Sequence, residues 1–415
     1  MNLKNALLSL VSLLVMLGLA EAALQIVDYP PAPQAGWRWD QSPYRGDMNA
    51  SDQQVNQLGL RGSKIEYSEQ DFVVVLLGDS QVEAGTQTAD KLPEAVLQRA
   101  LQEKTGQQNI KVFSIASAGW GNDQQLIWLK KYVETYRADL VVNWLTPVND
   151  YWENTFIDRN TTLEAGKLKP SFAVTEADEL VDAMPATLDW KLKNLLVLAA
   201  ARILRGDKYT LEQYQLYAWM KTLPSPVAEG APKAECPANE IGMNSLVGAY
   251  TQGNRAYTLV TEENVGNGRS HFSPFLATNS PRDLYSIKLT HRILAEVEKT
   301  AKAHQAQFFL YHPYRHELDA AFREIKCLKS PGGQTWAFDG SDWMRYLKAS
   351  PLAGQLLTAN IEAPHVLTSG PNDWHFNEEG NRLAMQALAA KILERTSLAK
   401  SKSKADAKVA GAPAG

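Results

Sequence analysis

The sequence predicts an α/β fold built on a parallel central sheet, and three observations support this. First, apolar runs with the length of buried strands lie near 72–77, 111–115, 139–145 and 307–311. Second, these runs are separated or followed by helical patterns near 92–105, 123–136, 282–304 and 378–395. Third, parallel strands need long crossover connections, which these helices supply. We place a further strand at 365–368.

The first strand, Phe72 to Leu77, ends in the tetrad Leu77-Gly78-Asp79-Ser80. Open α/β sheets bind ligands at the carboxyl ends of their strands, so the Ser80 hydroxyl is placed where a nucleophile is useful. Gly, Asp and Ser also favour ordinary turns, which is the alternative interpretation of this segment on its own.

The next two strands also end in residues suited to a reacting carbonyl. Gly119 follows the second strand, and without a side chain its N–H is able to approach a reacting oxygen. Asn149 follows the third strand, and its neutral amide is a donor suited to an oxyanion. Taken singly, each segment is also compatible with a simple turn or helix cap.

The last segment is Asn372-Asp373-Trp374-His375, just ahead of the final helical pattern. In an extended loop, residues two apart point to the same side. Asp373 is therefore placed to orient the His375 imidazole as a general base.

These four segments, in this order, resemble the blocks of the SGNH, or GDSL-type, hydrolase family over about half of the chain. The resemblance implies a flavodoxin-like three-layer α/β/α fold, the SGNH hydrolase fold. It implies that Ser80 is the nucleophile, His375 the base and Asp373 its partner. The N–H of Ser80, the N–H of Gly119 and the amide of Asn149 are then the oxyanion donors. We predict no cofactor and no metal.

Three positions depart from the family pattern. Ala84 stands four residues after the serine, where glycine is usual, and Gly85 follows it. Pro147 replaces the glycine of Gly-x-Asn-Asp. The final block is often Asp-x-x-His, a spacing that would place Asn372 at the partner position of His375. The shorter Asp-x-His spacing also occurs in such proteins, so Asp373 is the predicted partner. An asparagine would keep the histidine tautomer without stabilising the imidazolium.

The predicted activity is that of a serine esterase that removes an acyl group, such as acetyl, from a small-molecule or glycan ester. An O-acyltransferase of polysaccharide modification would use the same residues, and a catalytically inactive binding protein is a third alternative. Tryptophans near the four segments suggest a carbohydrate substrate, although core packing is the other interpretation; they are Trp120, Trp144, Trp152 and Trp374.

The amino-terminal end indicates export. Lys4 precedes an apolar run from Ala6 to Ala20, which is typical of a signal peptide or, if uncleaved, of a membrane anchor. We predict a location in the cell envelope or periplasm, secreted or membrane-attached. The predicted organisation is a signal or anchor over 1–27, a spacer over 28–70, a catalytic domain over 71–150 and 281–396, a largely helical insertion over 151–280 that walls or covers the site, and a disordered tail over 397–415.

Charge and cysteine content bear on three other possibilities: nucleic-acid binding, a disulfide and a structural zinc site. The chain has 42 basic against 46 acidic residues and a net charge of −4, without the basic stripe of a nucleic-acid-binding protein. Cys236 and Cys327 are the two cysteines, and a disulfide and two separate thiols are both open. Neither cysteine has a histidine at zinc-finger spacing, so we predict no structural zinc site.

Overall fold

The computed structural model describes residues 3–26, 55–154, 172–175, 177–182, 273–276, 279, 281–315, 327–329, 335–362 and 375–398. The helices and strands of these segments are, in chain order, α1 Leu3–Ile26, β1 Phe72–Gly78, α2 Ser80–Glu83, α3 Pro93–Thr105, β2 Ile110–Ala116, α4 Asn122–Tyr136, β3 Leu140–Trp144, α5 Pro147–Glu153, β4 Phe172–Val174, β5 Leu180–Asp182, α6 Pro281–Ala303, β6 Gln307–Arg315, β7 Cys327–Lys329, β8 Thr335–Ala337, α7 Arg345–Lys348, β9 Leu356–Ile361 and α8 Glu378–Arg395.

Five strands form one parallel sheet in the described part of the chain, in the order β2-β1-β3-β6-β9. Counted along the chain this is the order 2-1-3-4-5, which is flavodoxin-like. The chain passes from β2 across β1 to β3, so the strand order reverses between β1 and β3. Ligands bind at such a switch point, outside the carboxyl ends of the strands.

Helices cover both faces of the sheet, because alternate residues of each buried strand point to opposite sides. On one face, α3 and α8 bury side chains such as Leu97 and Leu388 against Val74. On the other face, α4 and α6 bury side chains such as Leu129 and Ile293. The predicted α/β class and the three-layer α/β/α arrangement are confirmed.

The strand at the edge of the described sheet, β9, was not predicted from the sequence. The fifth strand is β9, and the segment predicted as a strand, 365–368, lies outside the described residues. β9 is only partly buried, so it lacks the continuous apolar run of the central strands. β6 continues through Pro313, beyond the end of its pairing with β3 at Tyr311. Proline has no N–H donor, and it is tolerated there because β6, among the described residues, has a partner strand on one side only beyond Tyr311.

The packed body begins earlier in the chain than the spacer prediction implied. Leu60 and Ile65 are buried in the core on the α4 side of the sheet. Residues 55–70 are therefore part of the packed body, and the rest of the predicted spacer, 28–54, lies outside the described residues.

Much of the insertion also lies outside the described residues, including both predicted helices, 186–205 and 210–223, and Cys236. Within its described part, β4 and β5 pair as an antiparallel hairpin. Phe172 of this hairpin is buried in the core on the α4 and α6 side of the sheet. Of the predicted tail, 399–415 also lies outside the described residues.

The amino-terminal helix α1 is 24 residues long. Its apolar stretch Leu3–Ala23 is long and apolar enough to cross a membrane, and none of it is buried against the rest of the protein. A signal sequence near the amino terminus has the same length and composition.

Candidate active site

The sheet topology brings three of the predicted segments to one place. β1, β2 and β3 are adjacent, and Ser80, Gly119 and Asn149 follow their carboxyl ends. All three residues are partly exposed, in a region where most neighbouring residues are buried. The site therefore lies at the carboxyl ends of the strands, where the strand order reverses.

The nucleophile segment is a tight turn from β1 into the short helix α2. Gly78 has no space for a side chain, because a β-carbon there would collide with Val82. Asp79 caps α2, and its Oδ1 accepts a hydrogen bond of 2.9 Å from the N–H of Gln81. Ser80 is thereby fixed as the first residue of α2, and it is partly exposed just after the carboxyl end of β1.

Ala84 ends this helix in the left-handed conformation, with φ of 48°. Its N–H donates to the Ser80 carbonyl, which closes the turn. Glycine adopts this conformation at lower cost than alanine, which explains physically why a glycine suits this position. The departure seen in the sequence is accommodated by the turn.

His375 contacts Ser80 directly. Its Nε2 lies 2.8 Å from the Ser80 Oγ, although 295 residues separate them in the chain. This is the distance needed for a histidine to take the proton of a serine hydroxyl. The predicted partner Asp373, and Asn372 beside it, lie outside the described residues, so the choice between them remains a prediction.

The loop after β2 is fixed to the nucleophile helix. Gly119 has φ of 74°, a conformation that favours glycine. The N–H of the preceding residue, Ala118, donates to the carboxylate of Glu83, the last residue of α2. Glu83 is buried, with 5% of its surface exposed. This contact sets the position of the Gly119 loop relative to Ser80.

Asn149 lies in the helix that follows β3. Its Nδ2 donates to Asp79 Oδ2 at 2.8 Å, which joins the third segment to the first. A side-chain amide carries two N–H groups, and this bond uses one of them. Pro147 begins this helix, where proline is well tolerated because its missing N–H has no intrahelical partner. The second departure from the pattern is thus accommodated as well.

A buried carboxyl group lies behind this contact. Asp150 is 2% exposed, and its Oδ2 accepts a hydrogen bond of 2.7 Å from the N–H of Thr146. Burial, followed by the negative charge of Asp79, raises the pKa of Asp150 well above its usual value. The structure thus disfavours the charged form of Asp150 beside the carboxylate that orients Asn149.

We expect Asp150→Asn to remove a pH-dependent loss of stability. A carboxyl group whose pKa is raised by folding stabilises the protein below its ordinary pKa and loses that contribution as the pH rises through the raised value. The free energy of unfolding of the variant, measured relative to that of the wild type, should therefore increase from about pH 4 upward. The total increase should be about 1.4 kcal/mol for each unit by which the pKa is raised.

Urea unfolding of both proteins at several pH values measures this effect. Glu94 is also buried with a raised pKa, so the difference between the two proteins, rather than the wild-type curve, is the informative quantity. A difference that does not change between pH 5 and pH 8 would contradict the prediction.

Two of the tryptophans near the site are core residues. Trp120 is 1% exposed and packs on Trp128, and Trp144 is 2% exposed and packs on Tyr311 and Phe376. The hypothesis that these two rings stack on a sugar is therefore wrong, because their faces are covered. The side chain of Trp152 and all of Trp374 lie outside the described residues.

Three buried polar residues of the site were missed in the sequence. They are Gln81, Glu83 and Gln87, each at most 7% exposed. The only signal in the sequence was the group of polar side chains that closely follows Ser80, in a segment that is mostly buried in the fold. Their partners lie in other segments, which the sequence does not identify.

Comparisons with known proteins leave the family open. No family model matches the chain, and no curated protein matches it. Similar solved structures include a lipase/acylhydrolase from Enterococcus faecalis, with 12% identity, a TM-score of 0.27 and coverage of 78% of this chain and 96% of that chain. A putative arylesterase from Agrobacterium tumefaciens has 14% identity, a TM-score of 0.26 and coverage of 78% and 99%. A putative GDSL-like lipase from Parabacteroides merdae has 14% identity, a TM-score of 0.26 and coverage of 81% and 100%. Because these scores are low, we base the function on the geometry of the site.

Proposed function

We propose that this protein is a serine esterase that hydrolyses carboxylic esters through an acyl-enzyme. The observation that carries the proposal is the 2.8 Å contact between Ser80 Oγ and His375 Nε2, at the carboxyl end of β1. A nucleophile and a base within hydrogen-bond distance are the signature of nucleophilic catalysis.

In the first half of the reaction, His375 accepts the Ser80 proton while Ser80 Oγ attacks the ester carbonyl. The N–H groups of Ser80 and Gly119 and the amide of Asn149 stabilise the negative charge on the carbonyl oxygen. The imidazolium then gives its proton to the departing alcohol, which leaves the acyl group on Ser80. In the second half, His375 takes a proton from water as the water oxygen attacks the acyl carbonyl. The imidazolium then returns that proton to Ser80 Oγ as the bond between Ser80 and the acyl carbon breaks and the acid is released. Asp373 is the proposed partner of His375 in both halves.

The proposed substrate is an ester of a short acid, such as acetate, on a carbohydrate of the cell envelope. The helix α1 supports a location outside the cytoplasm, since its length and composition suit export or anchoring. The partly exposed Ser80 and His375 favour access by an ester on a larger molecule.

Labelling with a fluorophosphonate tests the nucleophile. We expect the full-length protein to form a phosphonyl adduct on Ser80 with loss of fluoride, located by mass spectrometry of the digested protein. Ser80→Ala should give no adduct. Ser68→Ala is the matched control, because Ser68 is exposed and lies at the opposite end of β1, and it should be labelled like the wild type. An unlabelled wild type would overturn the proposal.

Measurement of acid release separates hydrolysis from transfer. A chromogenic acetate ester should release acetate into water without any added acceptor, at a rate lost in Ser80→Ala. Release that requires a glycan acceptor would contradict the esterase and support an O-acyltransferase.

A further inference from the structure

The backbone of Phe376, directly after His375, is held from both sides by glutamine side chains. Its N–H donates to Gln81 Oε1 at 3.2 Å, and its carbonyl accepts from Gln87 Nε2 at 2.9 Å. Both glutamines are buried, at 7% and 4% exposure. The Phe376 ring is 3% exposed and packs on Trp144 at the end of β3. Phe376 is therefore fixed by two hydrogen bonds and by packing.

The two glutamines are themselves fixed to the nucleophile segment. Gln81 follows Ser80 in α2, and its backbone N–H is bound by the Asp79 cap. Gln87 lies in the loop after α2, where a buried arginine, Arg61, donates to its carbonyl and to that of Ala84. Arg61 is 2% exposed, so this loop is held from inside the protein.

We propose that Gln81 and Gln87 are positioning residues that set the His375 imidazole against Ser80 through the backbone of Phe376. They reach from the segment that carries the nucleophile to the residue next to the base, although 289 or more positions separate them in the chain. A base must be held closely at its nucleophile, since an error of about 1 Å lowers the rate by about 10²-fold. The proposal rests on the proposed function where it concerns rate, but the geometric part stands independently of turnover.

Gln81→Met and Gln87→Met remove the hydrogen bonds and retain the shape of the side chains. We expect each variant to lower kcat by about 10- to 100-fold with little change in KM, because no substrate contact is removed. In a His375→Gln background, neither change should lower the remaining activity further, because both act through His375.

Gln102→Met is the matched control. Gln102 also donates from its side chain to backbone carbonyls, those of Gln108 and Ile110, but at the opposite end of the sheet. Because Gln102 is only partly buried, the variant should reduce stability by less than the other two, and it should leave kcat unchanged. If Gln102→Met lowers kcat as much as the other two variants do, the effect is one of general stability and the proposal is wrong.

Nuclear magnetic resonance of the full-length chain with ¹⁵N-labelled histidine gives a readout that does not depend on ester cleavage. The chain has seven histidines, and His375→Gln identifies the relevant signals. We expect the ring ¹⁵N signals of His375 in both methionine variants to move toward their positions in Ser80→Ala. Signals that stay at the wild-type positions would overturn the proposal. Shifted signals in a protein that is not labelled at Ser80 would instead overturn the esterase and leave the positioning role intact.

Discussion

Replacing His375 by glutamine should lower kcat/KM for an ester by about 10⁴- to 10⁶-fold. Without a base at Nε2, the Ser80 hydroxyl keeps its proton and is a weak nucleophile. The remaining activity should come from the oxyanion donors and from substrate binding, which this substitution leaves in place. The measurement is steady-state hydrolysis of a chromogenic ester, together with the rate of fluorophosphonate labelling of Ser80, which should fall in parallel.

His304→Gln is the matched control for this substitution. His304 is exposed after the last residue of α6, and its Nδ1 lies 3.0 Å from the carbonyl oxygen of Thr300. It precedes the amino end of β6, which is the edge of the sheet opposite to the site. The control should keep wild-type activity. A His375→Gln protein that is correctly folded and retains a tenth or more of the wild-type rate would show that another group is the base.

The strands β1, β2 and β3 were predictable because each has a strong local signal, whereas the pairing of Ser80 with His375 was implied by the resemblance to SGNH hydrolases. A strand buried on both faces is mostly apolar, so β1 is visible as a continuous run, and β2 and β3 as runs interrupted only by Lys111, Ser114 and Asn143. The residues that follow such strands meet at one edge of the sheet whatever the details of the loops. Ser80, Gly119 and Asn149 could thus be assigned to a common site without knowledge of any contact.

The supporting residues could not be predicted, because their roles depend on distant segments. Gln81 and Gln87 bind the backbone of Phe376, and no pattern in the sequence marks a backbone group as a partner. The same holds for Glu83, whose partner is the N–H of Ala118. The edge strand β9 was missed for a different reason, since a half-exposed strand has no continuous apolar run.

Asn149→Ala should lower kcat by about 10²- to 10³-fold, the usual effect of removing one oxyanion donor. The hydrogen bond from Asn149 Nδ2 to Asp79 Oδ2 orients the amide. The second N–H of the same nitrogen is then the group that we assign to the oxyanion. KM should change much less than kcat, because the negative charge on the carbonyl oxygen develops in the transition state.

Asn149→Asp provides a sharper version of the same test. It retains the size of the side chain but replaces the donor by an acceptor-only carboxylate, directly beside the Asp79 carboxylate. We expect a loss of kcat at least as large as that of Asn149→Ala, because a negative charge would face the developing oxyanion. Asn109→Ala is the control; Asn109 Nδ2 binds the Gln70 carbonyl at the opposite end of β1, and its loss should leave kcat unchanged. If Asn149→Ala keeps kcat within about threefold of the wild type, Asn149 is a structural partner of Asp79 alone, and the negative charge must be stabilised by backbone N–H groups.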